Sequence, residues 1–321
     1  MVAQTGLPSL PPLSIQGTSA MMYNNKTEDH TDFKNHEIEL MAAGSMRETI
    51  GFFVNAVLST SEAPGETELE EAFLVWRHAL DTSVNARFGR LRPDISLWKA
   101  NASLIESVPA TMAPGAEGVD LSEPQSGFEL NALLGPRLFA AVGIVDRDLS
   151  ADKSQKECYG RVSYKIGGAD YRAKEPDVDF DKEDIWDFLS VSFGAFGYSG
   201  KTLDPADYTA HDFYRAGLET GILYKKFSLM LGAVKGSSRF ASAPPRESRA
   251  TSAEIEYLFA SKWKGLVRYD HASVEGGAAK RHYIPALVFA PLQVFKVTLS
   301  IDQETSDADT TTGMLSAQLA F

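Results

Sequence analysis

The chain has 321 residues, 44% of them hydrophobic and 23% charged, with a formal net charge of −12 and a pI near 5.0. It is too apolar and aromatic for a disordered chain. Its one cysteine, Cys158, excludes an internal disulfide framework, a four-cysteine zinc site and a cysteine-ligated cluster. There is no basic stripe for wrapping nucleic acid, and no apolar run approaches the roughly 20 residues of a spanning helix.

Residues 1–12, with Pro8, Pro11 and Pro12, read as an N-terminal periplasmic tail. They show neither the charge nor the apolar stretch of a leader, and the strands behind them predict an exported, processed chain. From residue 13 onward the recurring period is two, which means strands. Val84, Ala86 and Phe88 alternate with Asn85, Arg87 and Gly89; Cys158, Gly160, Val162 and Tyr164 alternate with Tyr159, Arg161, Ser163 and Lys165. Near the end, Phe295, Val297, Leu299 and Ile301 alternate with Lys296, Thr298, Ser300 and Asp302. Sixteen such segments are predicted: 13–24, 34–44, 47–59, 68–80, 83–92, 126–134, 136–147, 156–167, 185–199, 208–223, 226–236, 250–260, 262–272, 280–290, 293–303 and 311–321.

The connections alternate as well. Tight breaks such as Gly44-Ser45, Leu134-Gly135 and Tyr224-Lys225 trade places with longer polar loops such as 60–67, 148–155 and 237–249. The stretch 168–184 is the exception, long where a short turn is expected. An even number of long strands with short turns at one end describes a transmembrane antiparallel up-and-down β-barrel. Residues 13–321 then form one all-β barrel with short periplasmic turns and long external loops. Aromatic residues collect at predicted strand ends, where a membrane interface favours them. Tyr224, Phe227, Phe259, Trp263, Phe289, Phe295 and Phe321 lie near the short turns; Tyr23, Tyr198, Tyr269 and Tyr283 lie near the long loops.

The terminal strand ending on Phe321 resembles the C-terminal strand of bacterial outer-membrane proteins. The stretch Val84–Pro93, with Arg87, Gly89 and Pro93, resembles the R-x-G-x-x-x-P strand end of the phosphate-selective porin O/P superfamily, and Gly127–Val145 is similar to the hairpin that follows it there. Similar barrels sheathe multihaem cytochromes in porin–cytochrome conduits. The resemblance implies a wet interior, an outer membrane of a Gram-negative bacterium as the location, and passive passage of small hydrophilic solutes or ions. The alternative it implies is a sheath for a multihaem cytochrome. Partners implied are outer-membrane lipid, the solutes, a homotrimer, and a periplasmic or multihaem cytochrome. Phosphate-selective members have a lumen rich in Arg and Lys, whereas this chain is acidic.

In a barrel of this size water fills what strand side chains do not, and constriction and charge set selectivity. The pore-lining candidates are Arg77, Arg87, Glu129, Asn131, Arg161, Lys165, Arg215, Glu219, Glu254, Glu256, Arg268 and Lys296. The longest loop, 93–125, is expected to fold inward as the third loop and narrow the channel. Its candidates are Asp94, Trp98, Lys99, Glu106, Glu117 and Asp120; Leu97, Leu104, Ile105 and Val108 are its apolar anchors, with a short helix over 99–107.

The acidic run Asp177–Asp184 has alternating carboxylates but carries Lys182 where an EF-hand needs glycine, so it reads as a solvated turn and no metal is expected. His271 and Ser273 suggest a base beside a nucleophile, but no orienting group stands nearby. No nucleotide-binding or hydrolase motif occurs, so no cofactor and no enzymatic activity are expected.

Overall fold

A ribbon with one apolar and one polar face can cross hydrocarbon only if its two edges meet, because an edge leaves backbone N–H and C=O groups without partners. The computed structural model meets that requirement. It describes residues 13–26, 31–60, 67–98, 104–105, 107–113, 115, 121–147, 155–172, 188–203, 210–239, 244–306 and 309–320.

Sixteen strands form one closed barrel. In chain order they are β1 (Leu13–Asn24), β2 (Thr31–Arg47), β3 (Ile50–Thr60), β4 (Glu68–Trp76), β5 (Val84–Leu91), β6 (Gln125–Leu133), β7 (Leu138–Arg147) and β8 (Gln155–Ile166). Then follow β9 (Leu189–Leu203), β10 (Ala210–Tyr224), β11 (Phe227–Arg239), β12 (Arg246–Ala260), β13 (Trp263–Val274), β14 (Lys280–Leu292), β15 (Phe295–Thr305) and β16 (Thr310–Ala320). Each pairs antiparallel with its sequence neighbours, and β16 returns to β1 with Ala320 opposite Gln16 and Thr312 opposite Asn24.

The alternation sorts side chains by solvent. Outward positions carry Leu218 (67% exposed), Val142 (57%), Leu299 (50%) and Val162 (46%). Such a continuous apolar exterior is stable only against hydrocarbon. Inward positions carry Glu129, Arg161, Arg215, Glu219, Arg268 and Thr298, all buried. The fold is therefore a transmembrane barrel with a polar interior.

The predicted segments and the observed strands agree closely, with informative exceptions. β4 stops at Trp76 because His78, Leu80 and Asp81 adopt left-handed backbone around a short 3-10 turn. β11 and β12 continue to Arg239 and from Arg246, through residues that read as loop. Their polar side chains pair across the ladder, Lys235 Nζ with Glu247 at 2.9 Å, so strand pairing outlasts the apolar signal. Tyr198 does not join an outward aromatic belt. It is 2% exposed and points inward beside Tyr159, because its parity on β9 is that of Phe196. Phe321, the tail 1–12 and the run 177–184 lie outside the described residues.

Replacing outward Leu218 with arginine places a charge near the middle of a hydrocarbon-facing strand. Leu218→Arg is expected to cost about 2–4 kcal/mol, read as a shifted urea midpoint for folding into lipid vesicles.

Candidate functional site: a loop-narrowed lumen

The loop after β5 begins with three residues whose roles are physical. Arg87 faces the lumen, its guanidinium 4.4 Å from the centre of the Phe73 ring. Gly89 has φ of 132°, and a Cβ there would lie 2.3 Å from the carbonyl oxygen of Ala72, so no other residue fits without a shift. Pro93 carries no N–H to continue a ladder, and the strand ends before it.

The chain then turns into the barrel, where Glu129 on β6 is its first anchor. This carboxylate is fully buried and accepts from Arg87 Nη1 (3.0 Å), Asn131 Nδ2 (2.9 Å), the Tyr159 hydroxyl (2.7 Å) and the Asp94 N–H (3.2 Å). The Asp94 carboxylate pairs with Arg161 of β8. Further across, Glu219 of β10 accepts from the Ser96 hydroxyl and from the Leu97 N–H at 2.6 Å. Trp98 lies over Gly232 of β11, where a Cβ would come within 2.7 Å of its ring.

The returning half of the loop is held in the same way. Arg268 of β13 donates to the Ser107 carbonyl (2.9 Å) and pairs with Asp270 (2.8 Å), which also accepts from the Ala110 N–H (3.2 Å). The Thr111 N–H donates to Ser252 of β12 at 3.3 Å. Arg215 Nη2 donates to the Ala113 carbonyl at 2.8 Å, and Thr298 of β15 donates to the Leu104 carbonyl at 3.2 Å. Two apolar clusters support these bonds. One joins Leu91, Ile95, Met112 and Leu121 to Tyr159, Phe196, Tyr198, Phe213, Val145 and Val234; the other joins Leu104 and Ile105 to Leu266, Ile284 and Ala286.

The loop thus leaves β5 and is fastened to β6, β8, β10, β11, β12, β13 and β15. The remaining wall, β1 to β4, is carboxylate-rich. A register shift between Asn55 and Ala56 inserts Glu70 as an extra residue in β4, so Glu70 and Glu71 both turn inward. Asn55 Nδ2 donates to Glu39 (2.9 Å) and Glu70 (3.1 Å), and Gln16 Nε2 donates to Glu39 (3.4 Å). Arg92 reaches Glu70 at 3.4 Å, and its N–H donates to Glu71 at 3.0 Å. Between this wall and the loop lies a cavity of about 320 Å³ lined by Glu71, Arg87, Arg92, Asp94 and Trp98.

The structure brings Arg87, Glu129, Arg161, Arg215, Glu219, Arg268, Asp94 and Trp98 together at the loop. Asn131 sits beside Glu129 and accepts from Asn85 at 3.1 Å. Glu254 lies 3.9 Å from Arg268, and Glu256 pairs with Lys264 at 3.0 Å. Lys296 shares the inward face of Thr298, nearer the short turn. Lys165 is also near the short-turn end, its Nζ 5.3 Å from the Tyr171 ring centre. Arg77 is the outlier among the pore-lining candidates. It sits in the turn after β4, exposed, its N–H donating to Thr49 at 2.7 Å, because the strand ends one residue earlier. Lys99, Glu106, Glu117 and Asp120, and most of the 99–107 segment, lie outside the described residues. Val108, read as an apolar anchor, is 38% exposed.

Sequence reasoning missed Asn55, Glu70 and Glu71, whose inward turn depends on a register shift. It also missed the Gln125–Tyr198 contact, in which Gln125 Nε2 donates at 3.1 Å. His271 and Ser273 occupy successive outward positions on β13, opposite Thr251 and Arg249.

No family model matches the chain, and no curated protein matches it. Solved structures do. An anion-selective porin from Comamonas acidovorans is 11% identical, with a TM-score of 0.72 over 97% of this chain and 99% of that one. The outer membrane channel DcaP of Acinetobacter baumannii is 12% identical, with a TM-score of 0.67 over 97% and 96%. OmpT of Vibrio cholerae in a trimer form is 10% identical, with a TM-score of 0.67 over 97% and 98%. At such identities the likeness is one of fold.

Glu219 is the hinge between the loop and the far wall. Glu219→Ala removes the acceptor of the Leu97 N–H, and hydrogen bonds to charged groups contribute about 1.5–3 kcal/mol. Hydrogen exchange at Leu97 is expected to quicken by about ten- to a hundredfold, read by mass spectrometry on the detergent-solubilised barrel.

Proposed function

We propose that the protein is a passive channel of the Gram-negative outer membrane for small hydrophilic solutes, with a preference for cations. The observation that carries this reading is the division of charge around the lumen. Arginines lie where the loop is fastened: buried Arg161 on Asp94, Arg268 on Asp270 and Arg215 on the Ala113 carbonyl, and partly exposed Arg87 on Glu129. On the β2 and β4 wall Glu39 and Glu70 keep part of their surface toward the lumen, Arg92 reaching Glu70, while Glu71 is buried against the Arg92 N–H.

A narrow aqueous lane with low-dielectric walls focuses the field of its charges. Carboxylates on that wall raise the local concentration of cations and of cationic ends of polar solutes. Arginines already bonded to carboxylates and carbonyls exert little net field on the lane. Phosphate is a poor match to this wall. The Comamonas barrel is described as anion-selective, which is compatible, since side chains rather than the shared fold set the sign. No observation favours the cytochrome sheath, and the described part of the loop reaches across the lumen to β10, β13 and β15. A homotrimer is the assembly we favour. Among the described residues the outward long-loop end of β2 and β3 carries exposed Phe33, Ile38 and Leu58, and the Vibrio barrel was solved in a trimer form.

Planar-bilayer recording tests the reading. The purified protein is expected to give stepwise ohmic currents, with a reversal potential in a potassium chloride gradient whose sign reports excess cation permeability. Glu39→Gln with Glu70→Gln is expected to move that potential toward zero. Absence of current, or an anion-favouring sign in the unaltered protein, overturns the proposal. Raising salt to about 1 M, where the Debye length falls to about 3 Å, is expected to erase most of the preference.

A further inference from the structure

Outside the lumen, charge is distributed unevenly around the barrel. On β8 to β14 the outward face changes character toward the long-loop end: Tyr283 is followed outward by Arg281, and Tyr269 by His271. Among the described residues, the outward positions at this end carry Lys156, Lys201, Lys235, Arg239, Arg249 and Arg281. The inward neighbours confirm their orientation, since Ser238 is wholly buried and a Cβ on Gly200 would touch Glu157. The acidic groups on the same rim are Asp212, Glu247 and Glu275, joined by Asp146 on the neighbouring β7. Six positive charges face four negative ones, in a chain whose net charge is −12.

These cations stay well exposed even where they are paired. Lys156, next to Asp146, keeps 61% of its side chain exposed, and Lys201, 3.8 Å from Asp212, keeps 57%. Lys235 and Arg249 share one carboxylate, Glu247, at 2.9 and 3.3 Å, and are 50% and 69% exposed. Directly below them the face is hydrocarbon-seeking: Tyr214, Ala216 and Leu218 on β10, and Ala253, Ile255 and Tyr257 on β12. On β2 and β3 the described outward rim residues include apolar Phe33, Ile38 and Leu58, and on β5 outward Arg90 is half-buried beside Glu68 at 3.8 Å.

We infer that the outward rim of β8 to β14 is a docking surface for phosphate-bearing lipid headgroups of the leaflet on the long-loop side. The inference rests on the membrane reading above. Acyl chains lie along the apolar band while their phosphates sit among Lys201, Lys235, Arg239 and Arg249. A basic cluster next to hydrocarbon-facing residues is the arrangement that recognises anionic lipid. The carboxylates space the cations and leave a surplus for the headgroup. Glu247 holds two of them, so it limits what the phosphate gains.

The test uses the full-length barrel in neutral detergent, with diphosphorylated lipid A and the same lipid stripped of its phosphates as probes. Native mass spectrometry reads the bound fraction. The unaltered protein is expected to retain the phosphorylated lipid at least about tenfold better, with retention falling as sodium chloride is raised. Lys201→Ala, Lys235→Ala and Arg249→Ala together are expected to abolish that difference, while Glu247→Gln increases it. Equal retention of the two probes, salt-independent retention, or a triple variant that behaves like the parent overturns the inference. Heat-modifiable gel migration reports whether each variant is folded, and the parent's salt titration and Glu247→Gln decide the matter if the triple variant is not. Bilayer current from the parent is recorded separately. Phosphate-dependent retention without current leaves this surface standing and removes the channel; current without phosphate-dependent retention does the opposite.

Discussion

Backbone amides in hydrocarbon have no water to bond, and that constraint organises the rest of the molecule. It requires the sheet to close, so that the first and last strands become neighbours. Closure with sixteen strands leaves more interior than strand side chains fill. The interior is then either flooded or furnished from elsewhere. Here a segment of the chain's own length furnishes part of it. The loop after β5 meets a wall whose inward residues include buried Glu129, Glu219, Arg215 and Arg268.

Those buried charges set the electrical character of the lumen. A charge taken from water is costly unless it is paired and hydrogen-bonded. The loop supplies the missing partners: backbone N–H groups at Asp94, Leu97 and Ala110 for carboxylates, and carbonyls at Ser107 and Ala113 for arginines. The loop and the wall therefore stabilise each other. The cations it covers are paired, and on the β2 and β4 wall Glu39 and Glu70 keep part of their surface toward the remaining lumen.

Much of this was legible in the sequence because period two survives between the register shifts. Arg87, Arg161, Arg215 and Lys296 fall on the inward face that alternation predicts. The Arg87–Gly89–Pro93 pattern also has a local meaning, since each residue acts within its own few neighbours. What was not legible is non-local. Glu70 reaches the lumen through a register shift against β3, and nothing in its own neighbours encodes that shift. Tyr198 reads equally well as a belt residue or a lumen residue until its partners Tyr159 and Phe213 are placed beside it. The strand ends at Arg239 and Arg246 were hidden because polar ladders and polar loops share a composition.

The fastening of Leu104 to Thr298 spans 194 residues. Ser96 and Leu97 likewise wait for Glu219, more than 120 positions downstream. None of these bonds exists until the late strands stand in the wall. Contacts so distant along the chain are slow to form, because ring closure must precede them. The gauge of the bore is consequently a property of the closed cylinder and not of the loop's own stretch of chain.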